Sequence, residues 1–327
     1  MPGEGRVYLG AYTNFAGVHG DEAAMERRER ALGRGYDLQL TYYNWSDPFP
    51  DYGERDIVAH RRMPQMCWYG PRIGVEGRSI EHVLNGSYDD WIARQAARMR
   101  HFGYPILLRL MIEMNGNWYH GYSGDPTSFV AAWRRVWRIF HSHRVENVAF
   151  VWCPNIDSHP NTPENAPEAY YPGDRFVDWI GVDGYNTTSH GGHWRSFADI
   201  FGDFLRFHAG DKPLMIGETA ADETGDKATY IRDMHAWIRA NADALDLRAL
   251  CWFDTNTHGR GHRDWRVNSS PGAWAAWRDL AADPLFGGSG RLAPSNLVRL
   301  VALRAGGRPK RETFSGAPAG GLLLDQP

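Results

Sequence analysis

Two glutamates stand at the ends of apolar runs in this chain of 327 residues. Glu113 follows "RLMI" and precedes "MNGNW", and Glu218 lies in "PLMIGETA". A carboxylate at the end of a buried run needs a reason, because removing its charge from water is costly without compensating partners. A pair of carboxylates can cleave a glycosidic bond, since one protonates the leaving oxygen while the other stays ionised to attack or stabilise the oxocarbenium-like centre. We therefore predict Glu113 and Glu218 as catalytic residues.

Aromatic and polar residues near the ends of the apolar runs could bind the sugar. The chain has 14 Trp, and tryptophan faces stack on the C–H faces of sugar rings while Asn, Asp and Arg hydrogen-bond their hydroxyls. Apolar neighbours such as Met111 and Trp118 can raise the pKa of Glu113, as a general acid requires. The candidate substrate-binding residues are Arg109, Asn115, Trp118, Trp68, Trp152, Asp183, Tyr185 and Trp252.

Structural roles compete with catalytic ones for several of these residues. Either glutamate alone could be a salt-bridge partner, but the two together, each in a polar or glycine-containing context, favour catalysis. Arg109 shares one strand face with Glu113 by the period-two alternation of strands. It could hold a carboxylate ionised or pair inside the core. Tyr185, on the same face as Asp183, could likewise reach a carboxylate or pack in the interior.

The elements that would position these residues alternate along the chain. Eight short apolar or β-branched runs indicate strands, and amphipathic segments with apolar residues three and four apart indicate helices. The predicted strands cover 6–14, 37–45, 63–70, 105–113, 148–155, 177–186, 213–220 and 248–256, and the clearest helices cover 89–102, 126–143, 225–242 and 270–281.

This alternation favours a single (β/α)8 TIM barrel of the α/β class. An open doubly wound sheet would more often have a glycine-rich phosphate-binding turn after its first strand, and "YTNFAGVHGDE" has no GxGxxG. Catalytic groups of such barrels lie at the C-terminal ends of the strands, where both glutamates stand. We assign residues 5–285 to the catalytic barrel. Residues 286–327, rich in Gly, Pro and Ser, form a C-terminal extension that is partly disordered or docked.

Charge and hydropathy argue against two classes of partner. The formal net charge of −3 provides no basic field for nucleic acid. No window approaches the roughly 18 apolar residues of a membrane helix, and the N-terminus lacks the apolar core of a secretory signal. Localisation stays open: the protein would be secreted if a signal has been removed from this chain, and cytoplasmic otherwise. The oligomeric state is not predictable from the sequence.

Cysteine and histidine give no indication of a metal or a cofactor. Cys67, Cys153 and Cys251 are far apart and each lies beside a tryptophan, which predicts buried structural thiols. The histidines of "HGGH" (190–193) and "HGRGH" (258–262) lie in glycine-rich loops without HExxH or CxxC, which favours substrate-loop roles over zinc. A serine hydrolase would need a GxSxG elbow, which the sequence lacks. We predict neither cofactor nor metal.

Several segments together resemble glycoside hydrolase family 26, the retaining β-mannanase-type barrels of clan A. The segment "RLMIEMNGNWY" (109–119) resembles the acid/base segment of that family. Further support comes from "YYPGDRFVDWIGVDGYN" (170–186), "KPLMIGETA" (212–220) and "LCWFDTN" with "DWRVNSS" (within 250–270).

The resemblance implies a role for each matching residue. Glu113 would be the general acid/base on the fourth strand and Glu218 the nucleophile on the seventh, in a retaining double displacement. Trp118 would lie by the sugar at the cleavage point, and Tyr185 would hydrogen-bond the nucleophile. The implied function is endo-acting hydrolysis of a β-linked polysaccharide such as β-1,4-mannan.

By the same resemblance, Arg109 and Trp252 would line the subsite at the cleavage point.

One position departs from the pattern of the family. Members commonly have His immediately before the acid/base glutamate, whereas this chain has Ile112, whose side chain cannot hydrogen-bond a sugar. The departure bears on specificity for mannan more than on hydrolysis. Alternative substrates are β-1,3-xylan, mixed-linkage β-glucan or a less common bacterial polysaccharide. The alternative from another class is a catalytically weak carbohydrate-binding barrel.

Overall fold

Eight strands follow one another in chain order around a closed barrel, and the pairs between neighbouring strands are parallel. The computed structural model describes residues 1–3, 5–15, 21–71, 79–119, 122–189, 192–257 and 263–287. The strands are Tyr8–Asn14 (β1), Leu38–Tyr43 (β2), Met63–Trp68 (β3), Ile106–Leu110 (β4), Val148–Trp152 (β5), Trp179–Asn186 (β6), Leu214–Ala221 (β7) and Leu247–Thr255 (β8). The predicted single (β/α)8 barrel of the α/β class is confirmed.

Helices occupy the connections between the strands. They are Asp21–Leu32 (α1), Tyr52–Ala59 (α2), Ile80–Leu84 (α3), Asp89–Phe102 (α4), Pro126–Ser142 (α5), Phe197–Phe207 (α6), Lys227–Leu245 (α7) and Pro271–Ala282 (α8). Short 3-10 turns at Pro163–Asn165, Pro167–Tyr170 and Asp174–Phe176 connect β5 to β6. All eight predicted strands and all four predicted helices are present, and α4 has the predicted bounds.

The strands are buried on both faces, which hides their orientation in the sequence. Every residue of β3 to β7 is buried, as expected for parallel strands covered by helices. The ring of Phe150 on β5 packs against Trp133 and Phe140 of α5. On the opposite face of the strands, Arg109 Nη2 donates to Cys153 Sγ at 3.3 Å. Successive residues therefore face the helices and the barrel interior in turn.

The chain divides into two compact units. One unit contains Met1–Leu40 and the described residues from Val182 onward, and thus β1, α1, most of β6 and the elements from α6 to α8. The other unit contains Thr41–Gly181 and the elements from α2 to β5.

A buried ion pair connects α1 to β8 in the first unit. Arg28 Nε donates to Asp254 Oδ2 at 2.6 Å and Arg28 Nη2 donates to Asp254 Oδ1 at 3.1 Å. Burial raises the pKa of the Asp254 carboxyl, and the charge of Arg28 counteracts that rise. Because Val267 N–H also donates to Asp254 Oδ1 at 3.0 Å, this carboxylate fixes the segment after β8 as well.

Helix α5 begins at a capped turn in the second unit. The side chain of Asp125 accepts a hydrogen bond from Ser128 N–H at 3.1 Å, and Pro126 occupies the first helical position. Both residue types are favoured there, since an Asp cap satisfies a free N–H and proline has none to lose. The hydrogen bonds from Ser128 lower the pKa of Asp125 below its ordinary value of 3.8.

The described chain ends against the first strand. Val7 N–H donates to Leu285 O at 2.9 Å, and Phe286 is buried and forms a bridge with Val7. Residues 288–327, most of the predicted C-terminal extension, lie outside the described residues. The three cysteines are buried and reduced, as predicted. Among the helices described, none is both long and apolar enough to span a bilayer.

Substitution of Arg28 by Met tests the buried ion pair. The change leaves Asp254 buried without its cation, and we expect it to lower the free energy of unfolding by about 3–5 kcal/mol. Urea unfolding followed by circular dichroism measures the loss. The Arg28→Met/Asp254→Asn double variant removes the charge but keeps an acceptor for Val267 N–H, so it should recover part of that stability. Equal losses in the single and double variants would contradict this account.

Substitution of Asp125 tests the cap of α5 through its pH dependence. The pKa of Asp125 is lower in the folded state than in the unfolded chain. Its contribution to stability is therefore complete above the unfolded value of 3.8 and is lost as the pH falls through the folded value. Asp125→Ser keeps a cap without a titrating group, so the fall in Tm between about pH 5 and pH 2 should be smaller than in the wild type. Asp125→Ala should cost about 1 kcal/mol at neutral pH.

Candidate active site

Glu113 lies just beyond β4, where the backbone leaves the strand conformation. Met111 and Glu113 have φ values of +45° and +51°, in the left-handed region that residues other than glycine rarely adopt. Met111 N–H nevertheless donates to Trp68 O at 2.8 Å, and Glu113 N–H donates to Cys153 O at 2.9 Å. These bends explain why β4 ends before its predicted end at residue 113. Each such residue costs roughly 1–3 kcal/mol, which the surrounding contacts must offset.

Each carboxylate oxygen of Glu113 accepts a hydrogen bond. Asn155 Nδ2 donates to Oε1 at 2.8 Å, and Trp118 Nε1 donates to Oε2 at 2.7 Å. The glutamate is only 2% exposed, whereas the tryptophan is half-buried. The two donors therefore fix the direction of the carboxylate, and the exposed part of Trp118 is available to a ligand.

A buried amide network holds Asn155 in place. Asn155 N–H donates to Asn115 Oδ1 at 2.9 Å, and Asn115 Nδ2 donates to Asn155 O at 2.8 Å and to Ser158 Oγ at 2.9 Å. Asn165 Nδ2 donates to Asn115 O at 2.8 Å, and Asn165 Oδ1 accepts a hydrogen bond from Tyr170 O–H at 2.6 Å. The amide of Asn115, which we predicted to contact substrate, is buried in these bonds and ties the loop after β4 to the loop after β5.

The position of Trp118 depends on a glycine. A Cβ atom on Gly116 would lie 2.3 Å from the Trp118 ring, closer than any side chain tolerates. The glycine N–H donates to Glu113 O at 2.9 Å. The turn thus brings the indole back over its own backbone, and from there its N–H reaches the glutamate five residues earlier.

Glu218 lies in an irregular part of β7 in the first unit. Along the pair with β8, Ile216 is the partner of Leu250 but Thr219 is the partner of Trp252, with a register shift between them. Three steps on β7 therefore match two on β8, which is a β-bulge spanning Gly217 and Glu218. Bulges re-aim side chains and are frequent beside active sites. The Glu218 side chain is 3% exposed.

Tyr185 of β6 donates its hydroxyl hydrogen to Glu218 Oε2 at 2.6 Å. Its ring lies edge-on to Phe253, with centroids 5.9 Å apart, and 5.4 Å from Trp265. Phe253 is in turn stacked on Tyr12 of β1 at 5.1 Å. The structure thus brings together the predicted pair Tyr185 and Glu218 and surrounds the tyrosine with aromatic rings.

Three further positions singled out in the sequence are buried. Arg109 is fully buried with its guanidinium against Cys153 Sγ, and Asp183 is fully buried on the same strand as Tyr185. Ile112 is also buried, and its carbonyl accepts a hydrogen bond from Tyr122 O–H at 3.1 Å. The backbone before Glu113 is therefore fixed by a tyrosine.

Trp68, Trp152 and Trp252, which we predicted to bind substrate, are packed in the core. All three side chains are 0% exposed. The ring of Trp68 packs on Phe140 of α5, and that of Trp252 packs on Trp277 of α8. Trp152 is on the helix-facing side of β5 by alternation. They are core residues under the helices and offer no ring face for stacking a sugar.

Several residues near the glutamates were not assigned to the site from the sequence. Asn155 stands at the end of the fifth predicted strand, so its position was a usable signal. Phe253 follows Trp252 and so takes the opposite face of β8. Trp265 lies in "DWRVNSS", a segment that supported the family resemblance, but the tryptophan was not assigned a role. Among the predicted loop histidines, His190, His258 and His262 lie outside the described residues.

Each unit therefore contains one of the two predicted catalytic glutamates, and each glutamate is buried with a defined hydrogen-bond donor. In the second unit, N–H donors orient Glu113, and in the first unit a phenol orients Glu218. Such donors stabilise a carboxylate without cancelling its charge, so the group keeps its ability to take up a proton or to act as a nucleophile. The surroundings of each glutamate are therefore compatible with acid/base or nucleophilic chemistry.

Comparisons with known proteins place this geometry in a family. The sequence pattern that defines Glycosyl hydrolase family 26 matches residues 74–243. Endoglucanase H of Acetivibrio thermocellus is 33% identical over 81% of this chain, and a mannan endo-1,4-beta-mannosidase A and B of Caldalkalibacillus mannanilyticus is 26% identical over 62%. The matches span 29% and 36% of those two proteins, so this chain corresponds to about a third of each.

The fold is also that of a solved member. A GH26 beta-mannanase of Bacteroides ovatus, BoMan26A, superposes with a TM-score of 0.66 over 93% of this chain and 95% of that one, at 15% identity. Identity at that level supports the fold alone, whereas the sequence match covers more than half of the chain. The chain therefore belongs to glycosyl hydrolase family 26.

Proposed function

We propose that this protein is a retaining glycoside hydrolase that cleaves within a β-linked polysaccharide. The observation that carries the proposal is the hydrogen bonding of Glu113 by Trp118 and Asn155 just beyond β4. It is joined by the bond from Tyr185 to Glu218 on β7. Family membership and the names of the relatives support the same class of reaction.

The proposed mechanism assigns one role to each glutamate. Glu113 protonates the glycosidic oxygen while Glu218 attacks the anomeric carbon, so that a covalent glycosyl-enzyme forms and the leaving chain departs. Glu113 then deprotonates a water molecule, which releases the sugar with its original configuration. The hydrogen bond from Tyr185 orients the Glu218 carboxylate for attack on the anomeric carbon. In parallel barrels the active groups come from the C-terminal ends of the strands, which is where β4 and β7 provide these residues.

For the substrate we propose a β-1,4-linked hexose polymer, with β-1,4-mannan as the first candidate. The mannan endo-1,4-beta-mannosidase among the relatives supports it. A mixed-linkage β-glucan is the second candidate. It is favoured by the greater identity to Endoglucanase H, 33% over 81% of this chain, and by Ile112, which has no polar group to contact a sugar.

Activity of the two glutamate variants tests the proposal. Purified protein should release reducing sugar from one polymer in a panel of β-mannans, β-glucans and β-xylans. Glu113→Ala should lower kcat by about 10²- to 10⁴-fold, and Glu218→Ala by about 10⁴-fold or more. Glu146→Ala, an exposed glutamate before β5, should leave kcat unchanged. Activity that survives both losses, or a protein that binds a polymer without cleaving it, would refute the proposal.

Azide distinguishes the two roles with an activated aryl β-glycoside. In Glu113→Ala, azide should attack the glycosyl-enzyme and give the β-glycosyl azide, because two inversions have occurred. In Glu218→Ala, azide should fill the place of the carboxylate and give the α-glycosyl azide by one inversion. Proton NMR of the products reads the anomeric configuration. The same product from both variants would contradict the assignment.

Replacement of Trp118 by Phe tests its hydrogen bond to Glu113. The ring is kept and the N–H donor is lost, so we expect kcat/KM to fall about tenfold. The basic limb of its pH profile should move to higher pH, because a carboxylate that loses a donor keeps its proton longer. Trp137→Phe, at a half-exposed tryptophan on α5, is the matched control and should change neither quantity. An unchanged pH profile in Trp118→Phe would mean that the indole only packs.

A further inference from the structure

Lys227 begins α7 in an environment that a lysine normally avoids. Its side chain is 1% exposed, and burial lowers the pKa of its ammonium group. The first turn of a helix also disfavours a cation, because the free N–H groups there carry partial positive charge. Two general preferences thus oppose this residue, and its contacts must explain its place.

The ammonium group of Lys227 binds one short segment after β8. Nζ donates to Asp264 O at 2.8 Å, to Arg266 O at 3.1 Å and to Ser269 Oγ at 2.5 Å. Glu223 Oε1 lies 3.4 Å from Nζ, and the charges of Asp222 and Asp264 also act on the lysine. All three hydrogens of the ammonium group therefore have acceptors, and the acceptors belong to residues 264–269.

The two carbonyls that Lys227 binds flank Trp265. The backbone N–H and carbonyl of Trp265 itself are also hydrogen-bonded. Its N–H donates to Thr255 O at 2.9 Å, and its carbonyl accepts from Trp252 Nε1 at 2.8 Å. Arg28 Nη2 donates to Asn268 Oδ1 at 2.9 Å, which holds the far end of the segment. The backbone that carries the Trp265 side chain is thus held by hydrogen bonds from Lys227 and Arg28 as well as by its own.

The Trp265 ring in turn supports the tyrosine that reaches Glu218. It is 2% exposed and lies 5.4 Å from the Tyr185 ring. The Tyr185 hydroxyl is 2.6 Å from Glu218 Oε2. A continuous series of contacts therefore leads from the ammonium group through one peptide segment and two aromatic rings to the carboxylate.

We propose that Lys227 is a positioning residue for the nucleophile: by binding the carbonyls on both sides of Trp265, it holds that ring against Tyr185 and so fixes the hydroxyl that orients Glu218. The inference rests on the proposed function, in which Glu218 attacks the sugar. Lys227 touches neither substrate nor the reacting atoms. Its effect passes through Trp265.

Three variants separate positioning from general stability. Lys227→Met removes the ammonium group and keeps the length of the side chain. Ser269→Ala removes one of the three acceptors of the Lys227 ammonium group. Because this change is milder, it still tests the inference if Lys227→Met does not fold. Arg135→Met is the control: it breaks a two-point ion pair with Asp89, at 2.7 and 2.6 Å, between α4 and α5 in the other unit.

Kinetics provide the first readout. We expect kcat to fall by about tenfold to a hundredfold in Lys227→Met, as for other small displacements of reacting groups, and to fall less in Ser269→Ala, with KM little changed in both. Arg135→Met should lower Tm without moving kcat or KM.

Fluorine NMR provides a readout that does not require activity. In protein labelled with 5-fluorotryptophan, the Trp265 resonance is assigned by its loss in Trp265→Phe. It should shift or broaden in Lys227→Met and Ser269→Ala and stay in place in Arg135→Met. If the wild type cleaves no polymer, the proposed function fails while this spectrum still decides whether Lys227 orders Trp265. An unmoved resonance in a folded Lys227→Met, or an equal change in Arg135→Met, overturns the inference.

Discussion

A carboxylate buried in a protein must be provided with donors, and this requirement organises the ends of the strands. Glu113, Glu218 and Asp254 are each 3% exposed or less, and each has a different kind of donor. Two N–H groups bind Glu113, a phenol binds Glu218, and a guanidinium binds Asp254. The donors of the first two stabilise charge without opposing it, whereas the ion pair with Arg28 is suited to holding α1 and the last loop together. Among these three residues, the kind of donor differs between the two candidate catalytic groups and the structural one.

The glutamates also share an irregular backbone. Glu113 follows a strand that leaves the extended conformation at Met111, and Glu218 occupies a bulge in β7. A regular strand sends side chains alternately to the helices and to the interior, so an irregularity is one way to aim a side chain elsewhere. The contacts around each glutamate stabilise these local departures, and for Glu218 they include the ring system of Tyr185, Phe253 and Trp265.

The sequence was sufficient to predict the strands and helices, but not to predict which way their side chains point. Turn residues and apolar runs predicted every strand, and the polar ends of those runs identified Glu113, Trp118, Tyr185 and Glu218 as the residues to examine. The sequence could not show that Trp252 lies under the helices, because strands buried on both faces show no alternation of polarity. The segments around Glu218 and Trp265 supported the family resemblance, but nothing in them indicated the bulge or the packing of Trp265 on Tyr185. Both features depend on contacts with other parts of the chain: the bulge on pairing with β8, and Trp265 on hydrogen bonds of its backbone with Trp252 and Thr255.

The left-handed backbone at Glu113 has an evolutionary consequence. Most residues adopt that conformation with difficulty, and glycine or asparagine would adopt it with less strain. Under the proposed function, selection for the carboxylate keeps the glutamate at this position in spite of that strain. A descendant lineage relieved of hydrolysis should lose this residue early while the rest of the barrel persists. Glu113 would then serve as a marker of which barrels of this kind are still under selection as enzymes.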